Sequence, residues 1–62
     1  MRIRAVYAGT EEIGYQRGQT YNLEVRESST GAVSIISPLK HPYASMGAFL
    51  RSWNSVTLVG DP

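Results

Sequence analysis

Apolar residues fall on alternate positions through most of this chain, and only once do they fall three and four apart. Ile3, Ala5 and Tyr7 alternate with Arg2, Arg4 and Val6, and Tyr21, Leu23 and Val25 alternate with Asn22, Glu24 and Arg26. A two-residue period sends successive side chains to opposite faces, so both runs predict strands with one buried face. Met46, Phe49, Leu50 and Trp53 instead stand at i, i+3, i+4 and i+7, the spacing of one helical face. Ser45 precedes them as an N-cap able to satisfy free N–H groups of the first turn, which predicts a short helix over 45–53. Gly47 weakens that helix by up to about 1 kcal/mol relative to Ala, so packing has to hold it.

The remaining segments fit around these three. Residues 9–18 carry three glycines with Glu11, Glu12, Gln16 and Arg17, broken only by Ile13 and Tyr15, and read as a long loop. Loops of that length in a small domain are functional or pack a lid of their own. Glu27-Ser28-Ser29-Thr30-Gly31 is a turn cluster, and the β-branched run Val33-Ser34-Ile35-Ile36 after it completes a hairpin. Ser37-Pro38 closes that run. Residues 39–43 form a short edge strand or an extended linker, 56–59 return to strand pattern, and 60–62 fray as a tail. The sum is one mainly β domain over 1–62. A small antiparallel barrel of about five strands with one helical segment is expected, because a flat sheet of this size could not cover both of its faces.

Composition removes several classes of function. The 62 residues include no cysteine, which excludes a disulfide framework and thiolate metal sites, and one histidine, His41, which argues against a zinc centre. No cofactor is expected. The longest apolar stretches are a few residues, against roughly 20 for a membrane-spanning helix, and Met1-Arg2-Ile3-Arg4 lacks the apolar region of a secretory signal. No membrane association and a cytoplasmic setting are therefore expected.

The runs Ile3-Arg4-Ala5-Val6-Tyr7 and Gly14-Tyr15-Gln16-Arg17-Gly18-Gln19-Thr20-Tyr21-Asn22-Leu23 carry a wider pattern. It continues in His41-Pro42-Tyr43-Ala44-Ser45-Met46 leading into Phe49-Leu50-Arg51-Ser52-Trp53. Together they resemble small phage- and prophage-encoded proteins with SH3-like barrels. The resemblance spans most of the chain and rests on apolar and aromatic positions. It implies a viral or prophage origin and a compact β-barrel, brings no catalytic signature, and transfers no functional residue.

Candidate residues divide by whether a periodicity already explains them. Tyr7, Tyr21 and Trp53 lie on buried faces and belong to the core. Tyr15, in the polar loop, and Tyr43, before the helix, are explained by no period and are candidate contacts, since an aromatic ring with a polar tip suits a partner surface. Arg17 and His41 lie beside them, with Glu11 and Glu12 as an acidic rim. As a catalytic group His41 has no carboxylate or nucleophile near it in sequence, adjacent Glu11-Glu12 cannot flank a substrate, and Ser28-Ser29-Thr30 is turn chemistry. Arg2, Arg4 and Arg26 project from the outer faces of neighbouring strands and could track a phosphate backbone. At a net charge of +1, cross-strand pairing with glutamates is the plainer reading.

The expectation is thus a non-enzymatic binding module acting on a protein partner through Tyr15, Arg17, His41 and Tyr43. The alternative is a nucleic-acid binder using Arg2, Arg4 and Arg26.

Overall fold

The computed structural model describes residues 1–59, so the tail expected at 60–62 lies outside the described residues. The chain is mainly β. Strands β1 (Arg2–Tyr7), β2 (Thr20–Glu27), β3 (Val33–Ser37), β4 (His41–Tyr43) and β5 (Trp53–Leu58) form one antiparallel sheet in the order β4-β3-β2-β1-β5. Helix α1 (Met46–Ser52) joins β4 to β5, and a single 3-10 turn, Glu11–Ile13, lies in the first loop. The two end strands of this order are not hydrogen-bonded to each other among the described residues, so the sheet is open rather than a closed barrel.

Register explains why the alternating runs bury the faces they do. Ile3 stands opposite Leu23 and Ala5 opposite Tyr21, while Arg2 and Arg4 stand opposite Glu24 and Asn22 on the other face. The inner face carries Ile3, Ala5, Tyr7, Leu23, Val25, Val33 and Ile35, and Phe49 and Trp53 close it from the α1 side. The β2–β3 turn is tied by the Ser28 N–H to the Ala32 carbonyl at 2.8 Å and by the Ala32 N–H to Ser28 Oγ at 3.1 Å. Ser and Thr side chains competing for local backbone in this way favour turns over strands.

The helix begins as its N-cap requires, with Ser45 Oγ accepting from the Ala48 N–H at 3.1 Å. It ends one residue earlier than the spacing predicts. Trp53 has φ −135° and ψ 127° and is already the first residue of β5, opposite Tyr7. Its burial therefore comes from the sheet, and a helix of seven residues turns only Phe49 and part of Met46 inward. Leu50, expected on the same face, is exposed. A helix this short lacks the turns to bury a broad stripe.

Candidate functional site

The long loop is a closed structure with its own anchor. Its base is held where the Gly18 N–H donates to the Tyr7 carbonyl at 2.8 Å and the Tyr7 N–H to Gln19 at 3.0 Å. Between those ends the 3-10 turn stops at Gly14, whose φ of 99° favours glycine, and the chain then drives Tyr15 into the core. Tyr15 is 1% exposed. Its ring lies 5.0 Å from Trp53 edge-on, 4.9 Å from Tyr21 and 5.7 Å from Tyr7, while Tyr7 lies 4.8 Å from Trp53. Gly9 serves the same cluster, because an added Cβ there would stand 2.5 Å from Tyr7 Oη.

The expectation of Tyr15 as a surface contact is corrected by this burial. The polarity of residues 9–18 concealed a lid with a single aromatic plug. The signal was Ile13 and Tyr15 themselves, two apolar residues flanking a glycine in an otherwise polar loop, and Ile13 too packs against the core. Burial pushes the Tyr15 phenol above its ordinary pKa, against the lowering effect of its bond to Leu39. The Tyr7 phenol is likewise raised, by burial first and by Tyr43 second, although its bond to the Thr10 carbonyl opposes the shift.

Tyr15 also does something the sequence did not suggest. Its Oη donates to the Leu39 carbonyl at 2.8 Å and accepts from the Leu39 N–H at 2.9 Å, so one phenol satisfies both backbone groups of a residue 24 positions away. The loop and the β3–β4 connection meet at this point, and Gly14 approaches so closely that an added Cβ would stand 2.8 Å from Leu39 Cδ1. The Leu39 side chain remains 43% exposed. Leu39 was missed because nothing marks an isolated leucine beside a proline turn as held.

The other candidates are placed as follows. Tyr43 is half-buried, with its ring 5.4 Å from Phe49 and its Oη accepting from the Trp53 indole N–H at 3.0 Å. His41 is half-buried, edge-on to Tyr43 at 4.8 Å. Arg17 is exposed and bonded within the loop, its Nε to the Gly9 carbonyl at 3.0 Å and its N–H to Glu11 Oε2 at 3.2 Å. Thr10, Glu11, Glu12 and Arg17 line an open groove. His41 and Tyr43 are thus brought together, and Arg17 belongs to the loop rim.

The strand arginines are engaged in part. Arg2 Nε stands 3.5 Å from Glu24 Oε1, and Arg4 Nε donates to Asn22 Oδ1 at 3.1 Å, both across the β1–β2 pair, while Arg26 is exposed on β2. The Glu24 carboxyl is held below its ordinary pKa chiefly by a hydrogen bond from the Met1 ammonium, with Arg2 adding to the effect. Among the described residues no group of three or more His, Asp or Glu side chains is arranged to hold a metal, and no helix is long and apolar enough to cross a membrane.

Compared with protein-family models, with curated proteins and with solved structures, the chain finds no match.

Proposed function

We propose that this chain is a non-enzymatic binding module that acts on a protein partner in the cytoplasm. On this reading it is a phage- or prophage-encoded domain of the SH3-like type that its sequence resembles. The observation that carries the reading is Leu39. An apolar side chain is held out to solvent while Tyr15 fixes both of its backbone groups. A contact residue ordered in advance loses little freedom on binding, which is where much of the cost of association arises. Exposed Arg17, Glu11 and Glu12 on the adjoining loop supply a polar rim, and His41 with Tyr43 extends the surface along β4. An apolar anchor with a charged rim is how protein interfaces concentrate their energy.

Affinity capture from a host lysate at roughly 0.05 M and 0.5 M salt tests the proposal, because screening weakens phosphate contacts far more than an apolar anchor. A partner should be retained at both concentrations by the wild-type chain and lost by Leu39→Glu, whose backbone bonds to Tyr15 are unchanged. Retention by Leu39→Glu equal to wild type overturns the proposal. Binding of DNA that disappears at the higher salt and in Arg2→Ala/Arg4→Ala would instead establish the arginine face as the functional one.

A further inference from the structure

The face of the sheet turned away from the core carries a cleft well separated from Leu39. Glu24 stands opposite Arg2 on β1 and opposite Ser37 on β3, and the Val59 N–H donates to the Arg2 carbonyl at 3.0 Å. Directly opposed residues of an antiparallel pair project to one face, so Ser37, Glu24 and Arg2 make a row across three strands, and Val59 ends it. Asn22, opposite Arg4, belongs to the next row on that face. Arg2, Asn22, Glu24, Ser37 and Val59, with Ile3 and Leu23 between the rows, line a half-open cleft of about 340 Å³. That volume lies at the lower end of small-molecule sites, roughly 300–1,000 Å³, and exceeds what a bare inorganic ion needs.

What the cleft has to give is mainly donors. Arg2 Nε stands 3.5 Å from Glu24 Oε1 and the Arg2 side chain is 64% exposed. A guanidinium carries more N–H donors than one carboxylate can engage, so donors remain for a ligand. The Asn22 amide oxygen already accepts from Arg4 Nε at 3.1 Å, which leaves its NH₂ as the group it can offer. Ser37 adds a hydroxyl. The Glu24 carboxylate is occupied in turn, since Oε2 accepts from the Met1 ammonium at 2.7 Å. Arg2 and Arg4 therefore set the sign of the site.

We infer that this cleft binds a small organic anion, a phosphate monoester or a carboxylate. Its anionic head sits on the Arg2 guanidinium, the Asn22 amide and the Ser37 hydroxyl, and its body lies against Val59 and the Arg2 methylene stem. A planar guanidinium matches the oxygens of either head, and long side chains of this kind offer an apolar stem beside a charged end. The site shares no residue with the Leu39 surface, so it stands or falls independently of that reading.

Titration of the nitrogen-15-labelled chain with phenyl phosphate and with benzoate, followed by amide chemical shifts at about 0.15 M salt, tests the inference. At least one probe should saturate, with a dissociation constant on the order of 0.1–10 mM, as expected of so small a ligand. The amides of Arg2, Asn22, Glu24, Ser37 and Val59 should move together. Inorganic phosphate, which has the head without the body, should bind at least about fivefold more weakly than phenyl phosphate. Arg2→Ala removes the guanidinium, and Asn22→Asp keeps the acceptor for Arg4 while replacing the donors with a carboxylate. Each should weaken binding about tenfold or more. Arg26→Ala makes the same change in net charge outside the cleft and should stay within about twofold of wild type. All three side chains are exposed, so the variants should melt close to wild type. Saturation by neither probe, shifts scattered over the sheet, inorganic phosphate binding as tightly as phenyl phosphate, or equal weakening in the three variants each overturns the inference.

Discussion

The indole N–H of Trp53 donates to the phenolic oxygen of Tyr43 at 3.0 Å, which ties the first residue of β5 to the last residue of β4. These strands end the sheet order and share no ladder bonds, so this side-chain bond links them where backbone pairing does not. The Trp53 ring also contacts Tyr7, Tyr15 and Phe49, with ring centroids 4.8 to 6.0 Å apart. Tyr43→Phe keeps the packing and removes the acceptor, leaving a buried indole N–H unpaired. Urea unfolding should register a loss of about 1–3 kcal/mol. Trp53→Ala removes both bond and ring and should cost roughly 3–5 kcal/mol, enough to leave a domain this small largely unfolded.

Tyr15 should behave as a core residue. Tyr15→Ala opens a cavity beneath the loop and strands both backbone groups of Leu39, and thermal melting should show destabilisation of about 3–5 kcal/mol. Tyr15→Phe retains the ring and loses only the bonds to Leu39, for about 1–3 kcal/mol. A melting temperature unchanged in Tyr15→Ala would place the ring at the surface after all.

The contrast between Tyr15 and Tyr7 shows what the sequence made legible. Tyr7, Leu23 and Val25 were readable because their burial follows from local alternation, which any strand must obey. The burial of Tyr15 depends on Leu39, 24 residues away, and no local period encodes such a contact. Leu50 misled for a related reason, since its spacing fits a helical face but the helix stops before a broad face is needed. The structure brings the loop against Leu39, in the connection before β4, and leaves that leucine as the exposed apolar residue at the junction. Its role depends on two hydrogen bonds with Tyr15, the residue that the sequence offers as an anchor.

Ser55 is the one non-glycine residue with positive φ among the described residues, at 54°, and it stands at the bulge where β5 shifts against β1. Left-handed backbone costs an L-residue roughly 1–2 kcal/mol that glycine avoids, and glycine gives back only about 0.5–1 kcal/mol of that through its freer unfolded chain. Ser55→Gly should therefore raise stability slightly, by about 0.5 kcal/mol. Ser55→Val, β-branched and ill-suited to that region, should lower it by more than 1 kcal/mol on the same scale. Thermal melts of the pair settle the order, and a valine variant as stable as the glycine one would mean that the bulge relaxes.

Alkaline pH should unfold this domain through Tyr7 and Tyr15. Both phenols are raised above 10.0 in the folded state, principally by burial. The unfolded chain therefore loses these protons first. Above about pH 10 it binds fewer protons than the native state, and stability falls as pH rises. The contribution is fully present below pH 10 and disappears as pH climbs through the raised folded values. Melting temperatures measured between about pH 8 and pH 11 should be level at first and then drop. Tyr15→Phe, which removes one of the two titrating groups, should begin less stable at neutral pH yet decline less steeply. Parallel declines in the two proteins would show that the Tyr15 phenol ionises as readily in the folded chain as in the unfolded one, against its burial beneath the loop.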